Sequence, residues 1–247
     1  MDRLTILGSS NAIAKVDQEN SYLLIQTETR KILVDCGDHP VAGLNRVGVG
    51  LDQITDLVIT HFHADHVGSL PLLVMDMSLE KRTLALTLYG LEYTLERVKK
   101  LLDLFDWQMW PNRFPVTFHS IPEAGEDPIL SDSEIRVSAL PVLHLIPTIG
   151  LRFEFADHKV ITYSCDSEPC ENLNTLARNA DVLLQEAAGQ AKGHSSAMQA
   201  GTIASQAGVK RLILIHFEAR HDKKGMIRDC QKTFPGTVEF AFDGMVV

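Results

Sequence analysis

Six consecutive residues, His61-Phe62-His63-Ala64-Asp65-His66, carry three imidazoles and one carboxylate. Protonated, rings this close would repel, and buried without partners they would be costly. They are also the donor types that divalent zinc prefers, so a cation resolves the conflict. His61 and His63, one residue apart, can share one ion while Asp65 and His66 turn toward a second. The run follows the β-branched stretch Leu57-Val58-Ile59-Thr60 and precedes a helical pattern. It therefore belongs on a strand-to-helix loop held in a fixed, partly buried position, and not on a surface loop that happens to be rich in histidine.

Four protein ligands do not fill two sites, so further donors are expected at later strand ends. His144 follows Leu140-Pro141-Val142-Leu143, Asp166 follows Ile161-Thr162-Tyr163-Ser164-Cys165, and His216 follows Leu212-Ile213-Leu214-Ile215. Alone, each would be a satisfied core or loop residue. Their order behind the first cluster makes each a candidate ligand.

The elements that must place these residues are legible as periodicities. Leu4 to Gly8, Tyr22 to Thr27, Lys31 to Asp35 and Leu57 to Thr60 are expected strands. A helix is expected from Asp65 to about Leu79, with Pro71 near its first turn, where the missing N–H costs little. A second is expected over Glu92 to Leu104. Strands follow near Val116 to Ser120, Ile135 to Leu140, Ile149 to Phe155 and Lys159 to Ser164. Strand and helix then alternate through Val182 to Gln185, Ser196 to Ala207, Arg211 to His216, Met226 to Phe234 and Val238 to Phe240. The order implies a layered α/β protein with sheets inside and helices outside.

A length of 247 residues, 45% of them hydrophobic, suits one large domain spanning 1–247, and no linker-like stretch divides it. The first residues do not form a secretory signal, and no stretch approaches the roughly 18 apolar residues of a membrane span, so a cytoplasmic protein is expected. Cys36, Cys165, Cys170 and Cys230 form no CxxC pair; disulfides are not expected, and Cys36 and Cys230 should be buried thiols. The net charge of −9 opposes a broad polyanion-binding surface. A local basic rim remains at Arg220-His221-Asp222-Lys223-Lys224 with Arg228, unless that stretch is a solvated loop.

The HxHxDH run, His144, the turn Tyr163-Ser164-Cys165-Asp166-Ser167 and the late His216 together resemble the metallo-beta-lactamase superfamily across nearly the whole chain. The resemblance implies a four-layer αββα sandwich with two metals at one edge between its sheets. It also implies the ligand groups: His61, His63 and His144 on one ion, Asp65, His66 and His216 on the other, Asp166 bridging. Asp35, in Ile32-Leu33-Val34-Asp35-Cys36-Gly37, looks like the superfamily's first motif, which supports the metal loop without ligating. Cys165 departs from the usual Gly before the bridging Asp, and is expected to be a small packing residue, as is Cys170. Zinc is the expected metal; manganese and iron suit the same donors.

Within the superfamily, Gly193-His194-Ser195-Ser196-Ala197-Met198-Gln199 resembles ribonuclease Z and related phosphodiesterases, whose histidine before this helix gives a proton to the leaving oxygen. Ser196 and Gln199 fit a capping box, which fixes where the helix starts and where His194 points. Glu186 falls where that group has a glutamate that orients the donor. Two cations about 3.5–4 Å apart lower the pKa of a shared water, giving hydroxide at neutral pH. Asp65 would hold that hydroxide in line while His194 acts as general acid. Ribonuclease Z, however, carries an RNA-gripping arm where this chain has only a turn and two strands between His144 and Asp166. With the negative charge, this favours a small phosphodiester, a cyclic or short nucleotide, over long RNA. Hydrolysis of a lactone, thioester or beta-lactam is the first alternative, a di-iron redox protein the second, and a non-catalytic partner subunit the third. The aromatic segment Phe105 to Pro111 is expected to be plain core, with a lid or homodimer contact as the other readings.

Overall fold

The computed structural model of the protein describes residues 2–123, 127–218, 220 and 222–247. The chain forms two compact units, Met1–Pro122 with Phe242–Val247, and Glu123–Ala241. Each is built on a seven-stranded mixed sheet.

The first unit contains β1 (Arg3–Gly8), β2 (Tyr22–Gln26), β3 (Lys31–Val34), α1 (Pro40–Arg46), β4 (Asp56–Val58), α2 (Ala64–Val67), α3 (Leu70–Leu79), β5 (Leu86–Leu91), α4 (Glu92–Asp103) and β6 (Val116–Ile121). β1 to β6 lie in chain order, antiparallel up to β3 and parallel from β3 onward, with the last strand, Met245–Val246, antiparallel beside β1. Ile32, Leu33 and Val34 of β3 are wholly buried, as the continuous apolar run of a parallel strand requires. Leu95, Val98 and Leu102 of α4, spaced three and four apart, bury one face against the same core as Leu73 and Met77 of α3.

The second unit contains β7 (Leu130–Ser131), β8 (Ile135–Val142), β9 (Thr148–Phe155), β10 (Val160–Tyr163), α5 (Glu171–Ala177), β11 (Val182–Glu186), α6 (Ala197–Gln206), β12 (Arg211–Ile215), α7 (Lys223–Gln231) and β13 (Thr237–Phe240). β7 to β10 are antiparallel; β10 to β13 run parallel, with helices in the crossovers. Leu183, Leu212 and Leu214 pack with Ala200, Ile203 and Ala204 of α6 in one core.

In both units the parallel strands end at the candidate residues: Asp35 after β3, His61 after β4, Asp166 after β10, Glu186 closing β11 and His216 after β12. Loops at the carboxyl ends of parallel strands are the usual place for ligand sites in α/β sheets.

The single helix expected over Asp65 to Leu79 is two helices. Ser69 sends its amide to the Cys36 carbonyl, at 3.0 Å, and Pro71 has no amide to give, so the ladder breaks after Val67 and restarts at Leu70. α7 begins three residues before the expected Met226, with the Asp222 carbonyl accepting the Met226 amide, and ends at Gln231, ahead of Phe234 and Pro235. α1, β5, α5 and the short β7 and Met245–Val246 strands had no expected counterpart. Trp107 and Trp110 pack partly buried against the first core, whereas Phe105 and Met109 are exposed, so the aromatic segment is only half core. Among the described residues no helix is long and apolar enough to cross a membrane, and the four cysteines form no disulfide, with Cys36, Cys165 and Cys230 buried.

Candidate metal centre

In the first unit the site is assembled from Asp35 outward. The backbone turns left-handed at Asp35 (φ 63°), which carries its wholly buried carboxylate toward the end of β4. There Oδ1 accepts the Thr60 amide at 2.8 Å, and Oδ2 accepts the Thr60 hydroxyl at 2.7 Å and His66 Nδ1 at 2.8 Å. The Thr60 proton is thus committed to the carboxylate, so its oxygen accepts from His61 Nδ1, 3.1 Å away. Both rings therefore carry their proton on Nδ1 and offer the Nε2 lone pair. His61 Nε2 lies 3.0 Å from His63 Nδ1, and His66 Nε2 lies 3.5 Å from an Asp65 oxygen. Gly37 makes the approach possible: a Cβ there would lie 1.6 Å from the Asp65 carbonyl oxygen.

In the second unit, His144 donates from Nδ1 to the Gly193 carbonyl at 2.6 Å, again freeing Nε2. That nitrogen lies 3.9 Å, and His216 Nε2 3.2 Å, from the same oxygen of Asp166. Two left-handed residues, Cys165 (φ 53°) and His216 (φ 54°), bend the chain off β10 and β12 at these points. The conformation at Cys165 explains why a glycine suits that place.

His194 stands three residues before the first residue of α6, whose start is fixed by the Ser196 and Gln199 capping box. Its ring stacks on His216, with centroids 5.9 Å apart, and its Nδ1 lies 3.0 Å from Glu186 Oε1. Glu186 is wholly buried and also accepts the amides of Ser167, Ala188 and Ser195. Burial pushes its carboxyl from 4.5 up to about 7, against the pull of His194 and with a further push from Asp166. A carboxyl raised on folding contributes stability below its ordinary value, and that contribution is lost as pH rises to about 7. Relative to wild type, metal-stripped Glu186→Gln should therefore gain on the order of 2 kcal/mol between pH 4.5 and 7.5 in urea denaturation. Parallel pH curves for the two proteins would show that the carboxyl is not raised.

The donor set fits divalent cations. His61, His66 and His144, each tied at Nδ1 to a hydroxyl, carboxylate or carbonyl, turn Nε2 toward other N and O donors, the arrangement of metal-bound histidine. Sequence reasoning missed Thr60, Glu168 and Gly193; only Gly193, next to His194, had a signal, as a glycine beside a functional residue. Of the basic rim, Arg220 pairs with Glu218, Arg228 lies 3.4 Å from Asp222, and Lys223 lies over the Phe217 and Phe240 rings. His221 lies outside the described residues.

A family model described as Anti-Pycsar protein Apyc1 matches residues 2–237. Ribonuclease Z of Azobacteroides pseudotrichonymphae genomovar. CFP2 is 27% identical over 276 residues, covering 95% of this chain and 94% of its own. Ribonuclease BN of Escherichia coli strain K12 is 25% identical over 299 residues, covering 95% and 96%. Among solved structures, the metallo-beta-lactamase fold protein YhfI from Bacillus subtilis superposes with a TM-score of 0.85 at 21% identity, covering 100% of this chain and 98% of its own. The short form of human tRNase Z does so with 0.79 at 24%, covering 100% and 98%. A diphosphatase from the PhnP family follows with 0.78 at 21%, covering 100% and 97%. The chain has the metallo-beta-lactamase fold, the α/β class expected from its motifs.

Proposed function

The chain belongs to the family described as Anti-Pycsar protein Apyc1, in the ribonuclease Z-like branch of the metallo-beta-lactamase superfamily, and we propose from this that it hydrolyses a small phosphodiester, a cyclic or short nucleotide, at a two-metal centre. It is a metal-dependent hydrolase with phosphodiester-cleaving relatives. His61, His63 and His144 would hold one ion, Asp65, His66 and His216 the other, and Asp166 both. Divalent cations held there supply Lewis acidity at the phosphoryl oxygens and make water nucleophilic at neutral pH; zinc suits the donors best.

The chain's own groups do the rest. Asp35 and the Gly193 carbonyl hold the His66 and His144 rings in the tautomer that presents Nε2. Asp65 accepts a hydrogen bond from the attacking water and aims it in line. Protonated His194, steadied at Nδ1 by Glu186, gives the Nε2 proton to the departing oxygen as the P–O bond breaks. The His194–Glu186 pair is the observation that carries the phosphodiesterase reading, because hydrolysis at a carbonyl has less need of a donor at this place.

Small size is supported by the 144–166 segment, in which a turn, β9 and β10 leave no room for an RNA-gripping arm. The alignment with the Escherichia coli relative runs over 299 residues against 247 in this chain, so that relative has segments this one lacks. The charge of −9 points the same way.

His194→Ala tests the reading. With a dinucleotide or cyclic nucleotide, whose leaving alkoxide needs a proton, kcat should fall about 10²–10⁴-fold. With bis(p-nitrophenyl) phosphate, whose leaving group is stable as an anion, the loss should be under about tenfold. Equal losses on both substrates would remove His194 from the role of acid.

A further inference from the structure

The turn after Asp166 carries a second acid that the chemistry above leaves unused. Glu168 is half-buried, and its backbone pairs with Leu143, the residue before His144, in an isolated antiparallel bridge with the Glu168 amide 2.8 Å from the Leu143 carbonyl. Its Oε1 accepts the Gly193 amide at 2.7 Å. Gly193 is the residue whose carbonyl takes Nδ1 of His144, and it precedes His194. It sits at φ 87°, and a Cβ there would come within 2.8 Å of His144 Nδ1, so the imidazole leans directly on this glycine. A glycine has wide backbone freedom, and something must hold it where its carbonyl meets the ring. The His194 amide, on the same peptide as that carbonyl, bonds to Ala191 at 3.1 Å; the Gly193 amide bonds to Glu168.

We propose that Glu168 is a positioning residue that fixes Gly193 so that its carbonyl orders the His144 ring, leaving Nε2 for a divalent cation. The inference rests on the reading of His144 as a ligand. One residue thereby ties the loop of a metal-holding histidine to the loop of the proton donor. Its backbone holds the His144 loop and its side chain holds the Gly193–His194 loop.

The test is the zinc dissociation constant of metal-stripped protein, measured by chelator competition well below the unfolding temperature of every variant. Glu168→Ala should bind zinc about 10–100-fold more weakly, as is usual when a partner behind a ligand is lost. Glu168→Gln keeps an acceptor oxygen and should stay within about threefold of wild type. A purely structural role would lower the melting temperature and leave the affinity of the folded protein alone. The proposal is overturned by wild-type affinity in Glu168→Ala, and equally by a Glu168→Gln as weak as the alanine variant, which would make the effect one of charge. Should the alanine variant not fold, imidazole ¹⁵N spectra of wild type and Glu168→Gln decide. Both should show the His144 proton on Nδ1, and a proton on Nε2 overturns the idea. Neither readout involves turnover. Zinc bound through an ordered His144 in a protein that cleaves no phosphodiester would contradict the preceding subsection and leave this proposal standing.

Discussion

Asp166→Asn is expected to lower kcat/KM for a small phosphodiester at least about a thousandfold, the equivalent of roughly 4 kcal/mol of transition-state stabilisation. One Asp166 oxygen lies 3.2 Å from His216 Nε2 and 3.9 Å from His144 Nε2, and the residue is 2% exposed. Asparagine has the same shape, so the packing of the turn after β10 should survive. What disappears is the negative charge that would neutralise two cations, and a neutral amide is a far poorer bridge. The metal-free variant should therefore melt close to wild type, while metal analysis after loading should find fewer than two ions per chain. Full metal content with activity within tenfold of wild type would exclude Asp166 from the bridging role.

Asp35→Ala should be the most damaging single change to stability, costing about 4 kcal/mol or more. Burial pushes this carboxyl up, while His66 and Thr60 pull the other way. Removing it orphans the Thr60 amide, the Thr60 hydroxyl and His66 Nδ1 inside the protein. The backbone adds to the loss: at φ 63° aspartate and asparagine are tolerated better than alanine. Asp35→Asn should consequently fall between wild type and Asp35→Ala in urea denaturation of metal-stripped protein. Equal stability of the alanine variant and wild type would mean that Asp35 does not organise the His61–His66 loop.

The first four candidate donors were visible as one cluster, and the later three, His144, Asp166 and His216, because each is a lone polar group following an apolar strand. His216 after four consecutive aliphatics is the plainest case, and the buried run of β12 is what makes it stand out. Of the groups behind the donors, Asp35 and Glu186 were named through the family resemblance, whereas Thr60, Glu168 and the Gly193 carbonyl were not. Thr60 binds Asp35 across 25 residues and His144 leans on Gly193 across 49, through hydrogen bonds to which no local spacing points. The break between α2 and α3 escaped for the same reason, since its cause is the carbonyl of Cys36, in a different loop. α1 was missed because Pro40, Gly43 and Asn45 are weak helix formers, and its residues form a helix only under tertiary packing, with Leu44 buried in the core.

Metal-dependent cleavage of a small phosphodiester is the role these histidines and aspartates are assigned. It is tested most directly by offering zinc- or manganese-loaded protein, beside a chelator-treated sample, a cyclic mononucleotide, a dinucleotide, a lactone and nitrocefin. Cleavage of the cyclic mononucleotide or the dinucleotide, abolished by the chelator and restored by metal, with the lactone and nitrocefin left intact, is the predicted result. Fast opening of the lactone or nitrocefin with both phosphodiesters untouched would contradict it.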